Sequence, residues 1–187
     1  ALGGLVTLRA TSSNGIEIST TVNADGFFEF SDSTLNQLGG FAPYVLKIDG
    51  TVGGKNLALY SIGRSRGRVN INPITDLALS MCSVDNFNEG IFQDTSLIPS
   101  QNVYEDSVNK IKSLLSIVLT NLSVTDVNPV NDELKSDGSG FDAVFDLVKF
   151  ESSYDVTGAV TSVTFRDYKN IPLGNEAINS LSSMAIN

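Results

Sequence analysis

The feature that most constrains this chain is a change of hydrophobic period at Asn72-Pro73. Before it, apolar residues recur every second position; after it, they recur every three to four. Val6 to Ala10, Ile16 to Val22 and Phe28 to Phe30 alternate apolar with polar, as a half-buried strand requires. Tyr44 to Ile48 and Leu57 to Ile62 are two further strand segments, and Val69 with Ile71 reads as a short closing strand. Asn23-Ala24-Asp25-Gly26 separates two of these runs, and Asp-Gly supplies the positive φ of a tight hairpin. Many short strands at this spacing predict a β-sandwich over residues 1–72.

Asn72 is a good N-cap, and Pro73 at the first helical position forgoes no needed donor. Ile74, Leu77, Ala78 and Met81 then fall on one helical face. Residues 85–100 read as a polar loop with one helical turn. The longest helix is expected over 102–122, with Val108, Ile111, Leu115, Val118 and Leu122 inward and Leu114 and Leu119 widening the stripe. Ser139 and Asp142 have capping-box spacing, ahead of a helical stripe through Phe141, Val144, Phe145 and Val148. Val160 to Phe165 reads as one late strand, and the tail after Pro172-Leu173-Gly174 as weakly helical. The expected class is therefore α+β: an antiparallel sandwich of immunoglobulin or transthyretin type over 1–72, and a mainly helical part over 73–187 packed on it.

Charge divides at the same place. Of 12 basic and 21 acidic residues, the first 72 positions hold six and five, leaving the acidic excess to the second part. The net charge of −9 opposes nucleic-acid binding, which needs a basic footprint. No apolar run approaches the length of a membrane span. Ser, Thr, Asn and Gly are abundant and Cys82 is the single cysteine, so no intrachain disulfide forms. That composition points to an exported surface protein, although one buried thiol is equally at home in the cytosol. The N-terminus lacks signal-peptide order, as expected of a processed export.

Chemistry-bearing residues are sparse. There is no histidine, which removes the Ser-His-Asp and Cys-His arrangements and most zinc sites. Gly63-Arg64-Ser65-Arg66-Gly67 lacks the spacing of a phosphate loop. The carboxylate pairs Asp142/Asp146 and Asp25/Glu29 read as solvated faces rather than a glycosidase pair. Cys82, beside the apolar face of the first long helix, reads as a core residue without an activating base. No enzymatic activity is expected. Asp137, Ser139 and Asp142 are the candidate calcium ligands, their oxygens gathered around glycines; a turn at Asp137-Gly138 and a helix cap account for the same residues. Arg64, Arg66 and Arg68 alternate, so an extended backbone would form a basic ridge for an acidic partner or a protected edge.

Val6-Thr7-Leu8, the run Thr20 to Phe30 and Pro43 to Ile48 resemble the transthyretin-like or carboxypeptidase-regulatory-like modules of bacterial surface proteins and lipoproteins. The run Val69 to Leu77 and the segment Asp137 to Asp142 extend that resemblance. It implies fold and surface location and carries no catalytic residues. Such modules begin with a further strand, whereas only Ala1 to Leu5 precede Val6 here. The expectation is an incomplete sandwich with an open groove and edge. This predicts an extracellular filament or surface-layer subunit assembling into a homopolymer by strand addition, with Leu2 and Leu5 of the N-terminal segment and the three arginines at the interface. The alternative is a monomeric surface module binding carbohydrate, peptide or calcium; the absence of tryptophan disfavours sugar stacking.

Overall fold

The computed structural model describes residues 4–11, 15–39, 42–52, 55–83, 88–154, 156, 160–167 and 172–177. The first part is one four-stranded antiparallel sheet. Its strands are β1 (Gly4–Ala10), β2 (Glu17–Thr21), β3 (Tyr44–Val52) and β4 (Lys55–Gly63), in the spatial order β2-β1-β3-β4. Among the described residues of 1–72 these four strands form a single sheet, so the expected two-sheet sandwich is not made within this part. Both faces are nevertheless covered. On one face, Val6, Leu8, Ile18, Leu46 and Ile48 are roofed by Leu38, Phe28, Phe30, Val69 and Ile71. On the other, Val45, Tyr60 and Ile62 meet the helices.

This explains why two expected strands are absent. At Asn23 the side-chain carbonyl accepts from the amides of Asp25 (3.0 Å) and Phe27 (2.9 Å), and Gly26 takes φ +80°. The turn forms as expected, but the chain after it does not pair back onto β2. Phe28 and Phe30 instead stack edge-on at 6.2 Å over the apolar face. Residues 69–71 likewise lie over that face, with the Asn70 amide donating to the carbonyl of Val130 at 2.6 Å. Burying aromatic rings on an apolar face outweighs the few ladder bonds a short strand would add. Because Gly26 occupies the left-handed region, Gly26→Val should destabilise the protein by more than about 1 kcal/mol. Urea denaturation would measure it, and an unchanged midpoint would contradict it.

At the period change α2 (Pro73–Cys82) begins as expected. The Asn72 side chain accepts from the amides of Ile74 and Thr75, and the Thr75 hydroxyl accepts from the Asn72 amide. The predicted polar loop contains α3 (Asn88–Gln93), after the short helix α1 (Asp32–Asn36) of the first part. A single 3-10 turn follows at Thr95–Leu97. The expected long helix is interrupted at Leu115 (φ −90°, ψ 6°), giving α4 (Gln101–Leu114) and α5 (Ser116–Asn121). Leu115 and Leu119 are buried there, but Leu114 is exposed and does not widen the stripe.

The last part corrects the expectation of one late strand. After α6 (Asp142–Leu147), Val148 opens a strand rather than ending the helix. Three antiparallel strands follow in the order β5 (Val148–Tyr154), β6 (Val160–Asp167), β7 (Pro172–Ala177). The start of the tail read as weakly helical, as far as Ala177, thus contributes to a strand because β6 offers it a ladder, and residues 178–187 lie outside the described residues. Val148 and Phe165 join the same core cluster as Val45 and Ile62, so the larger core draws on both parts of the chain. No described helix is long and apolar enough to cross a membrane.

Candidate functional site

Two regions gather polar groups around the first sheet: a half-buried cluster under α3, and the open edges of the sheet. The cluster starts from sequence positions that alternation sends to the helical face. Lys47 of β3 sits beside Tyr60 of β4, its directly paired residue. The Lys47 ammonium lies 3.0 Å from Glu89 Oε2, and the Tyr60 hydroxyl donates to the same oxygen at 2.5 Å. Arg9 of β1 lies over the Phe92 ring at 5.0 Å and donates to the carbonyls of Phe92 and Gln93. Together these groups hold α3 to the sheet.

The charges in the cluster are settled rather than poised. Burial pulls the Lys47 ammonium down, but the hydrogen bond and charge of Glu89, with Asp49, leave it raised. Burial pushes Glu89 up, and the bonds from Tyr60, Gln93 and Lys47 more than reverse this. Burial and Glu89 push the Tyr60 phenol upward, so it stays protonated. A fixed cation, a fixed anion and a neutral donor form a clamp with no base or nucleophile ready at neutral pH. Asp76 is the exception. Its Oδ1 accepts from the Tyr60 amide (3.1 Å) and the Asn88 amide group (2.7 Å), yet burial outweighs both bonds and raises it to about 7.

The register fixes which backbone groups face outward from the sheet. The Val22 amide donates to the Gly4 carbonyl at 3.0 Å, so Gly4, Val6 and Leu8 exchange bonds with β2. Glu17, Ser19 and Thr21 therefore turn their own amides and carbonyls away from the sheet. Carried across β1, β3 and β4, the same alternation turns Asn56, Ala58 and Tyr60 outward at the opposite edge. At that edge the start of α2 replaces a strand. The Tyr60 amide finds Asp76, and the Tyr60 carbonyl accepts from the Thr75 hydroxyl at 3.1 Å.

No family model, curated protein or solved structure matches this chain.

The residues singled out in the sequence do not converge. Asp137 accepts from the amide and hydroxyl of Ser139 (2.9 and 2.6 Å), which holds its carboxyl below the usual range. Asp142 accepts from the Gly138 amide at 2.9 Å. The expected Ser139 cap is not made; Phe141 is the N-cap of α6, without a side-chain bond. Ser139 is drawn to Asp137 instead, and the loop folds around its own carboxylates. Among the described residues no group of three His, Cys, Asp or Glu side chains is placed to hold a metal ion.

Arg64 to Gly67 is a bend, so the arginines form no ridge. The Arg64 guanidinium donates to the Pro99 carbonyl at 2.5 Å, Arg66 binds Asp32 at 2.6 Å and Asn36 at 2.7 Å, and Arg68 lies 3.7 Å from Glu133. Leu5 is 45% exposed on β1, and Leu2 lies outside the described residues. The Cys82 thiol is partly buried against the Ala78 carbonyl and the Ser107 hydroxyl, and burial pushes it up. Missed in the sequence were Asp76 and the outer edge of β2. The signal for the second was present: Ile18 to Val22 carries hydroxyls and apolar groups but no charge.

Proposed function

We propose that this chain is a non-catalytic extracellular structural protein, a filament or surface-layer subunit whose copies assemble by strand addition. The observation that carries the reading is the outer edge of β2. It is regular, free of bulges and almost without charge, for the one carboxylate, Glu17, is neutralised by Arg9 at 2.6 Å. Natural edge strands are usually guarded by lysine, proline, a bulge or a covering element. The far edge shows such a guard, where Thr75 and Asp76 occupy Tyr60, while Asn56 and Ala58 extend past it.

The expected route, a strand inserted into an open groove beside β1, is replaced by addition at the edges. β1 is paired along its length by β2 and β3, and the apolar face is roofed by Phe28, Phe30 and Leu38. A sheet with one unguarded edge at β2, and a β4 edge guarded at Tyr60 but not at Asn56, meets the geometric requirement for strand addition. The serine- and threonine-rich composition supports an extracellular setting. Negative-stain electron microscopy of the natively purified protein tests this. Ordered filaments or lattices are expected, and dispersed particles of one subunit at every concentration would overturn it.

A further inference from the structure

Assembly at an edge leaves open which strand joins which, and the β2 sequence answers that. An arriving strand must offer outward amides and carbonyls at the same spacing as Glu17, Ser19 and Thr21, with no clash of charge. The five residues Glu-Ile-Ser-Thr-Thr satisfy this against themselves. In an antiparallel self-pairing centred on Ser19, Ser19 faces Ser19 and Glu17 faces Thr21 of the other copy. Every outward residue of the strand then meets an outward residue, and each such pair exchanges two backbone hydrogen bonds. Shifted by two residues in either direction, an outward residue falls opposite a position beyond the strand. Shifted further, with Glu17 against Glu17, like charges stand directly opposite.

Centred on Ser19, the two Glu17 carboxylates lie four residues apart along the ladder, about 14 Å. That exceeds the screening length of about 8 Å at physiological ionic strength, and each carboxylate keeps its own Arg9. On the apolar face, Ile18 comes beside Thr20 of the other copy. Ile16, 49% exposed in the single chain, comes opposite Val22. An exposed apolar side chain is thereby covered by the register that also satisfies the backbone.

We infer that the outer edge of β2 is the docking surface for the β2 strand of a second copy, antiparallel and centred on Ser19, joining two four-stranded sheets across a two-fold axis. This rests on the assembly reading and specifies its first contact. The interface is small, so association is weak and calls for protein up to about 1 mM.

The test uses charge at the two-fold centre. Ser19→Lys places two ammonium groups opposite one another, and Ser19→Glu two carboxylates. Each variant alone should dimerise at least about tenfold more weakly than the unmodified protein in sedimentation equilibrium. An equimolar mixture should recover association as a heterodimer, which a folding defect would not do. In the unmodified protein, amide exchange at Glu17, Ser19 and Thr21 should slow as concentration rises, with Ile18 and Thr20 unchanged, since their amides already bond to β1. Variants that associate like the unmodified protein, or exchange at Ser19 independent of concentration, would overturn this pairing. If filaments are still seen, the assembly reading stands and another edge is used.

Discussion

Replacing Phe165 by alanine should cost about 3–5 kcal/mol, the loss expected on truncating a buried aromatic side chain. Phe165 lies on the central strand β6 and is 1% exposed. Its ring meets Phe150 edge-on at 5.4 Å, and Phe150 continues through Phe145 (6.3 Å) to Phe141 (5.8 Å). The row ties the small sheet to α6 and to the core cluster that reaches Val45 and Ile62. Because adjacent strands hold Phe165 on both sides, the site cannot collapse to fill the space. Chemical denaturation followed by circular dichroism gives the loss directly. A change below about 1 kcal/mol, typical of a surface site, would mean that this sheet adds little to the core.

The second large effect is on pH dependence. In the folded protein the Asp76 carboxyl titrates at about 7, while its ordinary value is 3.8. The native state therefore holds a proton across an interval in which the unfolded chain releases it. Stability from this group is complete below pH 3.8 and is lost as pH rises through about 7. At about 1.36 kcal/mol per pH unit the loss over that interval reaches up to about 4 kcal/mol. Asp76→Asn keeps an acceptor for the Tyr60 amide and removes the titration. Its stability should stay nearly level between pH 5 and pH 8 on the pH axis (about three decades of proton activity), while that of the unmodified protein declines. Parallel curves for the two proteins would contradict the assignment.

Position explains the raised value. Asp76 lies in the first turn of α2, where the helix dipole favours an anion. Its carboxylate is nevertheless drawn against the β4 edge and α3, where water is scarce. Tyr60 approaches from β4, Asn88 from α3 and Tyr104 from α4. None of these neighbours contributes a cation in direct contact with Asp76. The cost of the buried charge is the consequence of using a side chain, rather than a strand, to satisfy the Tyr60 amide.

Much of this molecule was determined locally by the sequence. The capped start of α2 at Asn72-Pro73, the left-handed Gly26 and the strands β1 to β4 follow from bonds and sterics among residues a few positions apart. Two periods in one chain were enough to predict an antiparallel sheet followed by helices. The tertiary structure alone decided the rest, because it depends on which surfaces meet. Phe28 to Phe30 alternates like a strand, yet roofs the sheet because an apolar face lies open beneath it. Val148 matches the helical stripe, yet starts β5 because β6 supplies a ladder. Ser139 has cap spacing but is held by Asp137. That Asp76 is buried, and that β2 ends the sheet, depend on strand order and helix placement, which no window of neighbouring residues encodes.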